Sequence, residues 1–162
     1  MVATWKIRPQ RIGADRPNEI MLAADACFLK DGVEYWLPKG YCCNGASIPY
    51  LVQPIAGSAF EPSNEEAAWP HDAGYLTHTF SRSVTDEIMR QLKMQRELAE
   101  GASQRIARYR AWKMWFGVRC FGMFAWHNGP KELEELHRIK KMITEREDWE
   151  KFRSFWFVSA VV

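Results

Sequence analysis

The spacing of apolar and polar positions changes its rhythm near residue 62. Before it, the chain reads as strands. Glu19–Leu29 is apolar-rich, Asp31-Gly32 carries a two-residue hairpin signal, and Val33–Leu37 supplies β-branched and aromatic side chains. Pro38-Lys39-Gly40 closes that hairpin, and Tyr41-Cys42-Cys43 reads as one more short strand before the Asn44-Gly45 turn. Leu51–Pro62, with prolines at Pro54 and Pro62 and a glycine at Gly57, reads as irregular loop.

Beyond it the period is helical. Ser63-Asn64-Glu65-Glu66 has the form of a capping box, in which serine and glutamate reciprocally satisfy the first N–H groups of a helix. Pro70 offers a second starting point, since proline suits a first helical position, and Asp72 would then sit third. Ser83-Val84-Thr85-Asp86 opens the next helix by capping-box logic, and that helix runs to about Glu100 before Gly101. A third helix starts at or beside Ser103 and continues through Trp126, where Asn128-Gly129-Pro130 breaks it. A fourth, densely charged helix is expected from Lys131 to about Phe152, with Leu133, Leu136, Ile139 and Ile143 as its apolar stripe. Strands followed by helices give an α+β expectation: a small antiparallel sheet from the N-terminal third, packed against three or four helices. Residues 1–128 form this domain, and 129–162 extend it as a charged helix and an apolar arm.

Composition narrows the function classes. Hydrophobic residues make up 47% and charged residues 26% of the 162, a globular balance. A net charge of +2 gives no whole-molecule case for nucleic acid. The four cysteines (Cys27, Cys42, Cys43 and Cys120) show no C-x-x-C spacing, so they read as buried free thiols of a reducing compartment. Met1–Pro9 has no apolar signal core, so secretion through a signal peptide is not expected. Ala111–Trp126 is apolar nearly all round but interrupted by Lys113 and Arg119, and it falls short of the ~20 residues a span requires. It is expected to be a buried helix, with an interfacial helix as the alternative, and no membrane span is expected.

The sharpest candidate chemistry is His71-Asp72. An imidazole can bind metal or act as a general base near neutral pH, and a neighbouring carboxylate can orient it. Helical spacing puts His71, Tyr75 and His78 in one stripe, with Asp72 about a quarter-turn away. Asp86 can complete a His71, Asp72, Asp86 set whose nitrogen and oxygen donors suit a divalent ion such as zinc or manganese. The competing explanations are structural: Asp86 as a capping residue and Asp72 as a charge at a helix N-terminus. Ser47 can serve as a nucleophile with His71 as its base, or simply as a turn residue after Asn44-Gly45. Near the end of the chain, Trp149, Phe152, Phe155, Trp156 and Phe157 would form a contact patch if exposed.

Four motifs carry a family resemblance: LPKGYCCNGASIP at Leu37–Pro49, AAWPHDAGY at Ala67–Tyr75, SRSVTDEIM at Ser81–Met89, and the tryptophan-rich helix ending in Trp126. In this order and spacing, from Met21 to Trp126, they resemble a family widespread in tailed phages and prophages, domain of unknown function 1353. The resemblance implies a compact α+β domain in which the loop holding Asn44 and Ser47 approaches the helix bearing His71 and Asp72. Asn44 stands where that family usually has Asp, Tyr50 where it has a basic residue, and Pro70 where it has an aliphatic one. It further implies a site in the host cytoplasm or the virion.

Two function classes follow. The favoured one is a non-enzymatic phage or prophage protein acting in virion assembly or host manipulation through protein–protein contacts. Its partner would be another phage protein, a host protein or a second copy, met through the C-terminal arm. The other is a small hydrolase of cell-wall or peptide bonds, metal-assisted or not, centred on His71, Asp72 and Asp86.

Overall fold

Apolar and β-branched residues in the N-terminal third build two small antiparallel sheets, which three helices then cover. The computed structural model describes residues 2–13, 20–43, 62–129, 131 and 159–160. The strands are β1 (Ala3–Ile7), β2 (Arg11–Gly13), β3 (Ile20–Leu22), β4 (Ala26–Lys30), β5 (Val33–Leu37), β6 (Cys42–Cys43) and β7 (Ser159–Ala160). One sheet has the order β1-β4-β5-β7 and the other β2-β3-β6, with every pairing antiparallel. The α+β expectation holds.

The apolar run Glu19–Leu29 divides between the two sheets rather than forming one strand. The chain bends after Leu22, where Ala23 N donates to Gln10 O at 2.7 Å, and Lys39 N donates to Asp25 Oδ1 at 2.7 Å. The β4–β5 hairpin turns on Asp31 (φ 51°) and Gly32 (φ 86°). Two successive positive φ values suit the right-handed twist of a hairpin, and Asp-Gly tolerates them.

Helix α1 (Pro62–Thr77), α2 (Arg82–Ala99) and α3 (Gln104–Phe121) follow, and residues 123–129 are helical again. Both capping-box readings need correction. Helix α1 begins at Pro62, so Ser63 lies inside it, and the buried Ser63 hydroxyl donates to Glu97 Oε1 at 2.9 Å instead of capping. Helix α2 begins at Arg82 with Ser81 as N-cap, which makes Asp86 its fifth residue and not a cap. Pro70 is interior to α1, not its first residue. It removes one backbone donor within α1. Ser103 caps α3 as expected, accepting from Ile106 N at 3.4 Å.

Helix α2 is the central element. Ile88, Met89 and Leu92 join Ala67, Ala68, Trp69 and Ala73 of α1, Met114 of α3, and the strand residues Ala3, Leu22, Phe28 and Leu37 in one core. Ala3 N donates to Gln91 Oε1 at 2.6 Å, which ties α2 to the edge of β1. The α1–α2 crossing is close: a Cβ added at Gly74 would lie 2.6 Å from Thr85 Cγ2, so glycine is what lets the two helices meet there.

The expected buried helix over Ala111–Trp126 is also corrected. Only Ala107, Ala111 and Met114 of α3 are buried, with the half-buried Val118 packed against the same core, because α3 meets its neighbours along one side. Four of its rings stay outside, with Tyr109 60%, Trp112 49%, Phe116 49% and Phe121 57% exposed, while Trp115 is half-buried. Among the described residues no helix is long and apolar enough to cross a membrane. Cys27 and Cys43 are buried free thiols as expected, whereas Cys120 is exposed.

At the far end, β7 pairs with β5, placing Ala160 opposite Glu34 and Ser159 opposite Tyr35. The chain therefore returns to its own sheet. The expected fourth helix beyond Lys131, and with it Trp149, Phe152, Phe155, Trp156 and Phe157, lie outside the described residues.

Candidate functional site

One helical turn separates His71 from Tyr75 on α1, and their rings meet at 4.1 Å between centroids. Asp86, fully buried on α2, faces both. His71 Nε2 lies 3.0 Å from Asp86 Oδ1, and Tyr75 donates to the same oxygen at 2.7 Å. Arg119, near the end of α3, donates to Asp86 Oδ2 at 2.9 Å. Arg82 supplies the second guanidinium: its Nε donates to the Tyr75 hydroxyl at 3.2 Å, and its NH2 to the carbonyls of Val118 at 2.8 Å and Arg119 at 2.6 Å. Asp86 is thus the common acceptor at a junction of three helices, and Arg82 caps the last carbonyls of α3.

Asp72 stands on the other side of the imidazole, with Oδ1 3.5 Å from His71 Nδ1, a long contact. Its Oδ2 is buried without a hydrogen-bond partner. Burial, the largest influence, pushes the Asp72 carboxyl above the ordinary carboxylate value and outweighs His71. Burial alone would lower the imidazole, but Asp72 and Asp86 together overcome it and raise the His71 pKa. Burial would likewise raise Asp86, yet His71, Tyr75 and Arg119 hold it below the usual range. Burial, reinforced by Asp86, drives the Tyr75 phenol well above its ordinary value. An imidazolium between two carboxylates donates from both nitrogens, which is a charge clamp in chemical terms.

These directions fix a pH dependence. A raised histidine pKa contributes stability that is complete below about pH 6.5 and lost as pH rises through the folded-state value. The raised Asp72 pKa works in the same sense, starting from about pH 3.9. The lowered Asp86 pKa contributes stability that is present above about pH 3.9 and lost on further acidification. The melting temperature is therefore expected to fall as the pH is raised through the range above about 6.5, and His71→Asn should flatten that decline. A native profile that rises across the same interval would refute the clamp.

The remaining candidates separate. His71, Asp72, Tyr75 and Asp86 are brought together. His78 lies past the end of α1 with φ 52°, stacks on Trp126 at 3.8 Å, and its Nε2 donates to the Trp126 carbonyl at 2.9 Å. Asn44 and Ser47 lie outside the described residues. Among the described residues no group of three or more His, Cys, Asp or Glu is arranged to hold a metal ion. Both Asp86 oxygens are engaged, Oδ1 by Tyr75 and His71 and Oδ2 by Arg119, so a zinc or manganese ion there would compete with one of these partners.

Sequence reasoning missed Arg82 and Arg119. Arg82 sits four residues before Asp86, a spacing that could have flagged it. Arg119 had no local signal. A second buried polar cluster was also missed: Lys93 Nζ contacts Glu97 Oε1 at 3.0 Å, Ser63 Oγ at 3.1 Å and Asn64 Oδ1, while Arg110 donates to Glu97 Oε2 at 2.8 Å. Its members recur at i, i+4 on α2 and at the start of α1.

No curated protein and no solved structure matches the chain. A family model does, described as "Protein of unknown function (DUF1353)", over residues 20–118. That span runs from β3 into the last turn of α3 and holds His71, Asp72, Tyr75, Arg82 and Asp86, with Arg119 one residue beyond it. More than half of the chain lies within the match, and the protein belongs to the DUF1353 family.

Proposed function

We propose that this chain is a non-enzymatic phage or prophage protein that acts by contact, in virion assembly or in manipulation of the host, through the exposed face of α3. The observation that carries the reading is the row of rings opposite the buried seam of α3. Tyr109, Trp112 and Phe116 are each about half exposed or more, and Met123 (57%) and Phe124 (79%) follow. Trp112 and Phe116 stack on each other with centroids 5.4 Å apart. A contiguous apolar patch of this kind marks an interaction surface. The assignment to phages and prophages is supported by the four motifs and their order.

The helical junction supports contact over catalysis. A general base must present a free nitrogen to its substrate, and both nitrogens of His71 face carboxylates in a buried setting. The junction instead clamps α3, which carries the aromatic face, to α1 and α2.

The test uses the phage or prophage genome that carries the gene. The double substitution Trp112→Ser with Phe116→Ser is expected to leave the melting temperature unchanged, because both positions are exposed. It should cut the yield of infectious particles at least about tenfold, as loss of anchors worth about 2 kcal/mol implies. The reading fails if that variant propagates normally while a folded His71→Gln variant does not. Hydrolysis of cell-wall fragments or peptides by the purified protein, lost in His71→Gln, would likewise favour the hydrolase.

A further inference from the structure

We propose that the face of α3 docks in the plane of an anionic lipid surface, a proposal that rests on the contact reading and names the partner. From Gly101 to Lys131 the chain contains no Asp or Glu but has Arg105, Arg108, Arg110, Arg119, Lys113 and Lys131. The whole chain is only +2, so the remainder is net negative and the positive charge is concentrated here.

The structure sorts these cations. Arg110 turns inward to Glu97 and Arg119 to Asp86. Arg105 and Arg108 are exposed, and Lys113 lies over the Tyr109 ring, 5.1 Å from its centroid. At ~100° per residue, Tyr109, Trp112 and Phe116 fall within a stripe about 60° wide, opposite Ala107, Ala111 and Met114. Arg108 flanks the stripe on the Trp112 side, Lys113 flanks it on the Tyr109 side, and Arg105 continues it one turn before Tyr109. Apolar rings edged by cations on both sides form the pattern of a helix lying at a membrane interface, with long basic side chains reaching the headgroups. Trp and Tyr suit that zone, having one apolar and one polar end.

The charge pattern chooses among partners. A second copy docked face to face would set like charges against each other. A protein partner would have to present a negative patch that runs the length of this helix. Here the sign is uniform along the helix, which matches a continuous negative surface. No described helix can span a bilayer, so the helix would lie along the surface.

The experiment is co-sedimentation with vesicles of phosphatidylcholine alone, and of phosphatidylcholine with phosphatidylglycerol in equal parts. Native protein should bind the phosphatidylglycerol vesicles, with blue-shifted tryptophan emission, and should not bind phosphatidylcholine. Trp112→Ser with Phe116→Ser, and separately Arg105→Glu with Arg108→Glu, should each reduce binding at least about tenfold at unchanged melting temperature. Binding should weaken at high salt. Absence of binding to phosphatidylglycerol vesicles, or binding that neither variant weakens, overturns the lipid proposal. If vesicles are not bound but the Trp112/Phe116 variant still lowers phage yield, the partner is a protein or nucleic acid and the contact reading stands. If vesicles are bound through this face but that variant propagates normally, lipid docking stands and the contact reading falls.

Discussion

Asp86→Ala is expected to cost about 3–5 kcal/mol of unfolding free energy, the usual result of breaking a buried ion pair from one side. Asp86 is completely buried and accepts from Tyr75 and Arg119, with His71 Nε2 at 3.0 Å. Removing the carboxylate leaves the Arg119 guanidinium without its Asp86 acceptor, leaves His71 with Asp72 alone, and leaves the Tyr75 hydroxyl without its acceptor. Asp86→Asn keeps the volume and one acceptor, so it should be milder. Urea denaturation followed by circular dichroism gives both values. A loss below about 1 kcal/mol for Asp86→Ala would place the cluster in the range of exposed pairs and sink the clamp.

Glu97→Leu is expected to produce the second large loss, about 3 kcal/mol or more, because it leaves the Lys93 ammonium buried beside no Glu97 carboxylate. Lys93 is 1% exposed and Glu97 3%. The informative comparison is the pair. Lys93→Met with Glu97→Leu replaces both charges by apolar groups and should recover most of the stability lost by Glu97→Leu alone. Additive losses in the double variant would mean that each residue acts through other neighbours, Arg110 among them, and not through its partner.

Local signals were legible, and signals set by packing were not. The Asp31-Gly32 hairpin, the Ser103 cap and the end of α2 before Gly101 each depend on a few adjacent residues, and each was readable. Ser63 and Ser83 open motifs with the same capping pattern, yet the helices begin at Pro62 and Arg82. Ser63 belongs instead to the buried cluster with Lys93 and Glu97, and Asp86 to the one with His71, whereas Ser83 is exposed beside Ser81. Apolar content suggested a buried Ala111–Trp126 helix, but burial depends on which side meets a neighbour. On α3 that side is the Ala107, Ala111 and Met114 seam, with Val118 beside it. His71 and Asp86 were legible as partners from their motifs. Arg119, 33 residues beyond Asp86, enters only through the crossing of α2 and α3.

The pairing of β7 with β5 has a consequence in time. Glu34 and its partner Ala160 are separated by about 125 residues. At a synthesis rate of ~5–20 residues per second, the free edge of β5 would wait roughly 6–25 s for that strand to emerge. The β1–β4–β5 meander and the helices can assemble during that interval, but the Val33–Leu37 edge remains open to any passing strand. The newborn chain therefore carries an unpaired strand edge through most of its production, even after the helices have closed over the core.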